Sequence, residues 1–148
     1  MPEDNDTATA PNPAFQKLGY RAGTRGVIIG APEGDANPLA PFAAGLVSLA
    51  TLEELEKEEG ELDYIHLFAN SRAELAHVIG RLKDRLAPGG ILWISWIKQD
   101  SAKRHGGLPG DVNENVIRKL ALSAGLVDVK VAALDGDWSA LKLVRRKR

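Results

Sequence analysis

The sequence contains no cysteine among its 148 residues, which excludes disulfide scaffolds, thiolate metal sites and cysteine nucleophiles. Aromatic residues make up only 5% of the chain. The longest strongly apolar run is Ile91–Ile97, and a membrane-spanning helix needs about 20 apolar residues, so we expect no membrane segment. Since the chain also lacks a secretory signal pattern, these absences favour a cytoplasmic protein.

The chain also has no large overall excess of basic or acidic residues, because 19 basic and 20 acidic residues give a net charge of −1. Its distribution is uneven: residues 1–60 carry 4 basic and 10 acidic residues (−6), and residues 61–148 carry 15 and 10 (+5). The balance disfavours nucleic acid as a partner. A weaker third hypothesis, a nucleic-acid accessory role for the basic half that ends in 145–148 (RRKR), predicts strongly salt-dependent binding.

The polar residues 1–13 are predicted to form a disordered tail, and residues 14–148 a single domain. Strands and helices alternate through most of that domain. A short helix is predicted at Pro13–Tyr20, and later helices begin at capping boxes, at Thr51 and at Ser71. Candidate strands lie at Arg25–Gly30, Gly45–Ala50, Asp63–Ala69 and Ile91–Ile97, and a last helix covers Val112–Ala124.

The chain ends in a predicted hairpin. Val127, Val129 and Val131 alternate with polar residues, and Asp135-Gly136 is a strong turn signal. A two-residue loop would put Val131 opposite Ala140, with all three valines on one face. We therefore predict an α/β fold: a Rossmann-like, mostly parallel sheet with helices on both faces and a C-terminal antiparallel hairpin.

This order resembles the class I methyltransferase fold. Leu86–Ser95 (LAPGGILWIS) is similar to that superfamily's L-x-P-G-G turn and following strand, and Ala124–Val127 (AGLV) to its A-G-F/L turn. Over most of residues 17–144 the chain also resembles domain-of-unknown-function family 3052, a family of small bacterial proteins. The stretches that carry this second resemblance are 18–20, 30–34, 71–75, 92–98, 125–131 and 138–141. It implies a fold but no established activity.

Ligands of open parallel sheets bind beyond the carboxyl ends of the strands, where the strand order reverses. Three loops should meet there, and they supply the candidate cofactor-binding residues: Gly30, Glu33, Gly34, Asn70 and Lys98. Glycines let a backbone approach a ligand closely, whereas Pro32 removes one donor. Lys98 would hold an anion or simply reach solvent. An acidic residue after the second strand is a further mark of cofactor binding, and Glu53 and Glu54 lie near that place, although an acidic helix explains them equally well.

No metal site is predicted, because His66, His77 and His105 lack ligand spacing. No catalytic residue is assigned, since no nucleophile or base constellation is present. The leading hypothesis is a non-enzymatic or regulatory protein without a cofactor, on a degenerate methyltransferase-like fold. Its partner would be another protein or a second copy bound at the hairpin edge. The alternative is an S-adenosylmethionine-dependent methyltransferase of a small molecule, because methyl transfer depends mainly on positioning.

Overall fold

The described part of the chain forms one six-stranded sheet. A computed structural model describes residues 25–32, 38–39, 46–98, 111–135 and 137–146. The strands are β1 (Gly26–Ile29), β2 (Val47–Leu49), β3 (Leu62–Phe68), β4 (Leu86–Ile97), β5 (Leu126–Ala133) and β6 (Trp138–Arg145). The helices are η1, a 3-10 helix (Leu52–Lys57), α1 (Arg72–Asp84) and α2 (Glu114–Ala124). The predicted tail at 1–13 and the predicted helix at Pro13–Tyr20 lie outside the described residues.

The strand order is β2-β1-β3-β4-β6-β5. Strands β2, β1, β3 and β4 are mutually parallel, and β6 runs antiparallel to both β4 and β5. The predicted fold class, a mostly parallel sheet with a C-terminal antiparallel hairpin, is therefore confirmed. After β2 the chain crosses back over β1 to add β3 on its other side, so the strand order reverses between β1 and β3.

The two faces of the sheet carry separate apolar clusters. Both α-helices pack on one face, where Leu75, Leu82 and Ile117 meet Leu92 and neighbouring strand residues. Aromatic side chains dominate the opposite face, and they are Tyr64, Phe68, Trp93 and Trp138. Leu92–Trp96 in β4 is fully or almost fully buried, as predicted for a central strand covered on both sides.

The start of α1 and the end of α2 follow the sequence signals, whereas α2 begins at Glu114 instead of the predicted Val112. The Ser71 hydroxyl accepts a hydrogen bond from the Glu74 N–H at the start of α1, and the Asn113 side chain does the same for Val116 in α2. Gly125 ends α2 in the left-handed conformation, with φ 87°. At the other end of the chain, Arg145 donates to the Lys83 carbonyl and Arg146 to the Leu122 carbonyl. These two basic residues thus bind the C-terminal turns of α1 and α2.

The predicted hairpin register is wrong near its turn. Asp135 Oδ1 accepts hydrogen bonds of 2.8 Å from the N–H groups of Asp137 and Trp138, and Leu134 pairs with Trp138. The loop therefore has three residues rather than two, and Ala132 instead of Val131 lies opposite Ala140. A three-residue loop shifts the register by one residue.

A β-bulge at Val129 compensates for this shift. Asp128 pairs with Leu143, whereas Lys130 pairs with Lys142, so Val129 is the extra residue on β5. Since directly opposite residues share a face, Val127 opposite Val144 and Val131 opposite Leu141 lie on different faces. The predicted single face formed by Val127, Val129 and Val131 is therefore wrong, although each half of the hairpin alternates as expected.

Candidate functional site

A cavity lies at the carboxyl ends of β1, β2 and β3, where the strand order reverses. Its volume is about 400 Å³, within the usual range for small-molecule sites. The cavity is lined by residues from three strand ends, from η1 and from one side of α1: Ile29, Gly30, Ala50, Thr51, Leu52, Glu53, Leu67, Phe68, Asn70, Glu74, His77, Val78 and Arg81. Its lining therefore combines apolar residues, such as Ile29 and Leu67, with polar side chains, such as those of Asn70 and Glu74.

Gly30 ends β1 at the cavity in a conformation that favours glycine. Its φ is 73°, in the left-handed region that L side chains rarely adopt. Its N–H donates to the Leu49 carbonyl at 2.9 Å, which joins the ends of β1 and β2. A Cβ atom there would lie 3.5 Å from the Phe68 carbonyl oxygen, so backbone conformation, rather than space, requires glycine at this position.

The two candidate acidic residues after β2 have different environments. Glu54 Oε1 accepts from the N–H groups of Ala50 at 2.6 Å and Thr51 at 3.3 Å, so Glu54 caps η1 as the capping box predicts. Glu53, one residue earlier, is exposed and lines the cavity. The structure therefore assigns a local structural role to Glu54 and leaves Glu53 on the lining of the cavity.

Helix α1 contributes one polar stripe. Glu74, His77, Val78 and Arg81 line the cavity at spacings of three, four and seven residues, which place them on one side of a helix. The Arg81 guanidinium lies 3.6 Å from the Glu56 carboxylate on η1. This stripe was not predicted, because α1 was identified from the capping box at Ser71 and not from the spacing of its polar residues. The spacing of the polar residues Glu74, His77 and Arg81 in the sequence could have indicated it.

The structure brings together part of the predicted cofactor-binding set. Gly30 and Asn70 both line the cavity, whereas Glu33 and Gly34 lie outside the described residues. Lys98 does not line it. The Lys98 ammonium donates to the Asp135 carbonyl at 3.3 Å, and the backbone N–H of Lys98 donates to the Asp137 carbonyl at 2.8 Å. Lys98 is thus held against the hairpin loop at the end of β4.

A hydrogen-bonded cluster of polar side chains, His66 with Ser95 and Tyr64, is buried in the aromatic face of the sheet. Within the described part of the chain, His66 and Ser95 are the only buried polar residues. His66 Nε2 is hydrogen-bonded to Ser95 Oγ, and its Nδ1 lies 3.4 Å from the Tyr64 hydroxyl. The imidazole stacks on Phe68 with ring centroids 4.9 Å apart. Burial lowers the pKa of His66 to about 3, so the ring is neutral.

Neither a membrane helix nor a metal cluster emerges from the described ranges. None of their helices is long and apolar enough to cross a bilayer. No group of three His, Asp or Glu side chains in those ranges could hold a metal ion.

Several solved structures with a fold similar to that of this chain are methyltransferases. The CcbJ methyltransferase from Streptomyces caelestis has a TM-score of 0.60 at 10% identity, over 90% of this chain and 88% of that one. N-methyltransferase NodS from Bradyrhizobium japonicum WM9 has a TM-score of 0.55 at 17% identity, over 92% and 98%. Magnesium protoporphyrin IX methyltransferase from Synechocystis PCC 6803 with bound SAH has a TM-score of 0.57 at 15% identity, over 88% and 78%.

These identities establish the fold alone: the chain has a Rossmann-like, methyltransferase-like architecture. No protein-family model matches the sequence, and no curated protein matches it significantly. Membership of family 3052 therefore stays a prediction.

Proposed function

We propose that this protein binds S-adenosylmethionine in the cavity at the ends of β1, β2 and β3 and transfers its methyl group to a small molecule. The observation that carries the proposal is the meeting of Gly30, Glu53 and Asn70 around one cavity at the strand-order reversal. Open α/β sheets bind their ligands at this location. The fold comparisons support this alternative better than the leading sequence hypothesis of a non-enzymatic protein.

The lining residues fit an adenosyl ligand. Glu53 follows β2, the position from which a carboxylate accepts hydrogen bonds from ribose hydroxyls. Leu52 and Val78 supply apolar surface for the base. Gly30 has no side chain to obstruct the ligand where β1 ends. Pro32 offers no N–H, a loss that matters less for a cationic sulfonium than for a pyrophosphate.

When bound, S-adenosylmethionine supplies an electrophilic methyl group. The chain's own task is then to hold donor and acceptor in line, which can account for a large share of the rate enhancement without a dedicated base. Asn70 lies two residues after the end of β3 and lines the cavity, so its amide can donate to and accept from an acceptor molecule. Small-molecule acceptors suit this arrangement best.

Isothermal titration calorimetry with S-adenosylmethionine and S-adenosylhomocysteine tests the proposal. We expect micromolar dissociation constants for the wild type. Glu53→Gln should weaken binding about tenfold, because hydrogen bonds to a charged acceptor are stronger than those to a neutral one. Glu59→Gln is the matched control, since Glu59 is an exposed carboxylate that does not line the cavity, and it should leave binding unchanged. Absence of binding at millimolar ligand would refute the proposal and favour the regulatory hypothesis.

A further inference from the structure

A small cleft lies between α1 and α2, separate from the cavity at the strand ends. Its volume is about 160 Å³, and it is lined by one residue of α1 and by residues of α2 or its N-cap: Arg72, Asn113, Asn115, Val116, Lys119 and Leu120. No described residue lines both this interhelical cleft and the larger cavity. A water molecule takes up about 30 Å³ in the liquid, so the cleft has room for about five non-hydrogen atoms.

Two positive charges line the interhelical cleft without a counter-ion. Arg72 and Lys119 are exposed, and neither forms an ion pair in the part of the chain that the structure describes. The Glu114 and Asp128 carboxylates both pair with Arg118, the neighbour of Lys119 in the sequence. Since no carboxylate is among the described lining residues, the cleft attracts an anion.

One carboxylate lies close to the interhelical cleft without lining it. Asp111 Oδ1 accepts a hydrogen bond of 2.7 Å from the backbone N–H of Arg72. This bond joins the segment before α2 to the first residue of α1, so it holds the two sides of the cleft together. Even with this carboxylate counted, the two cations leave a net charge of +1.

The two asparagines of the interhelical cleft present hydrogen-bond donors. Asn113 Oδ1 accepts from the Val116 N–H at 2.9 Å, and Asn115 Oδ1 accepts from the Arg118 guanidinium at 3.2 Å. Because each oxygen is already bonded, the NH₂ group is the part of each amide that remains to bind a ligand. The polar side chains of the described lining thus offer N–H donors to a ligand that carries several acceptors.

We infer that the interhelical cleft binds a phosphate group, either of inorganic phosphate or of a phosphomonoester. The planar guanidinium of Arg72 matches two phosphate oxygens, and the Lys119 ammonium adds a second charge. The NH₂ groups of Asn113 and Asn115 donate to the remaining oxygens. A phosphomonoester carries a charge of about −1.5 to −2 at neutral pH, which balances the two cations, whereas a carboxylate carries one charge. This inference is independent of the proposed function.

The apolar part of the lining distinguishes the two sources of phosphate. Val116 and Leu120 line the interhelical cleft and are half-buried. They offer apolar surface to a substituent on the phosphate, and burial of that substituent stabilises the complex. A phosphomonoester with an apolar substituent should therefore bind more tightly than inorganic phosphate.

Backbone-amide NMR of the full chain tests the inference by titration with inorganic phosphate, phenyl phosphate and benzoate at constant ionic strength. We expect inorganic phosphate to shift the amide signals of residues 113–119 with a dissociation constant of about 1 mM. Phenyl phosphate should bind severalfold more tightly. Benzoate carries the same ring on a carboxylate and should bind at least tenfold more weakly than phenyl phosphate.

Charge-removing variants locate the site. Arg72→Gln and Lys119→Gln should each weaken phosphate binding at least tenfold, because charge-assisted hydrogen bonds are lost. Lys130→Gln is the matched control, since Lys130 is exposed on β5 and does not line the cleft, and it should leave the affinity unchanged. Phosphate should also raise the Tm of the wild type and of Lys130→Gln more than that of the two cleft variants, because a ligand of the folded state stabilises it.

Several results would overturn the inference and leave the proposed function intact. Amide signals of residues 113–119 that stay fixed in tens of millimolar phosphate would exclude a phosphate site in the cleft. Signals that shift at Gly30 and Asn70 instead would place phosphate in the larger cavity. Equal weakening by Lys130→Gln and the two cleft variants would indicate attraction to overall charge. Benzoate that binds as tightly as phenyl phosphate would replace phosphate by a carboxylate.

Discussion

His66 is a titratable side chain in the middle of an apolar face. It is fully buried between Phe68 and Trp93, and both of its ring nitrogens face hydroxyl groups, those of Tyr64 and Ser95. The ring therefore stays neutral while its hydrogen-bonding groups remain satisfied. Protonation would place a charge among aromatic rings, with no carboxylate in the described hydrogen bonds of this group to compensate it.

We predict an acid-dependent loss of stability from His66. Its pKa falls from an ordinary 6.5 to about 3 in the folded chain, so between these values the unfolded chain binds a proton that the folded chain does not. The contribution of His66 to the free energy of unfolding is therefore complete above pH 6.5. Below that pH the free energy of unfolding falls as pH falls, by up to about 1.4 kcal/mol per pH unit. Urea titrations between pH 7.5 and 5 measure this slope.

His77→Gln provides the comparison, since His77 is exposed on α1. This variant should keep the acid-dependent loss, whereas His66→Gln should reduce it. A wild-type free energy of unfolding that is constant from pH 7.5 to 5 would contradict the assignment without reference to any variant.

At the scale of elements, one arginine holds η1 in place. The Arg85 guanidinium donates to the Leu55 carbonyl at 2.9 Å, to the Gly60 carbonyl at 2.9 Å and to the Glu58 carbonyl. These carbonyls lie in the last turn of η1 and just beyond it, where helix C-termini leave carbonyl groups unpaired. Arg85 thereby fixes the element that presents Leu52 and Glu53 to the cavity.

We predict that Arg85→Met lowers the free energy of unfolding by about 1–2 kcal/mol, because charge-assisted hydrogen bonds are lost while the alkyl stem is retained. Amide exchange across Leu52–Lys57 should also become faster. Arg81→Met removes an arginine of α1, one turn before Arg85, that forms an exposed ion pair, and it should cost less than about 1 kcal/mol. Equal losses for the two variants would argue against the anchoring role of Arg85.

Element boundaries show what the sequence could and could not predict. Ser71 and Gly125 marked helix ends, because a cap acts on neighbouring backbone groups and is visible locally, whereas the cap at Asn113 was not predicted and lies inside the predicted helix Val112–Ala124. The hairpin register was not predictable from Asp135-Gly136 alone, since the Asp135 carboxylate sets the loop length by its choice of N–H partners. Gly30 and Asn70 followed from topology, whereas the α1 stripe depends on how far the helix packs beside the strand ends.

At the scale of the whole molecule, β2 and β5 are the two edge strands among the residues that the structure describes. Strand β5 exposes Val129 (52%) and Val131 (46%), and β2 at the other edge exposes Val47 (44%). An exposed edge invites pairing with another chain, while a bulge and a lysine oppose it. Both features occur on β5, with the bulge at Val129 next to Lys130. Association through the hairpin edge, predicted from the sequence, stays a prediction.

Light scattering over a wide concentration range tests that association. The homodimer hypothesis predicts a dimeric mass that Val131→Lys converts to a monomeric one, since a charge facing an apolar contact is costly. Val47→Lys places the same charge on the opposite edge strand and should leave the dimer unchanged. A monomeric mass at every concentration would exclude the hypothesis, and dissociation by Val47→Lys alone would move the interface to β2.

The extra residue at Val129 also bears on which strands of this sheet can accept an inserted residue. Gain or loss of a single codon within an inner strand would exchange its inward and outward side chains and disrupt both cores. In β5 the extra residue is absorbed beside only one neighbouring strand, and Ala132 and Leu126 each still face an apolar cluster. Among the strands that the structure describes, an edge strand such as β5 is thus where one inserted residue disturbs the packing least.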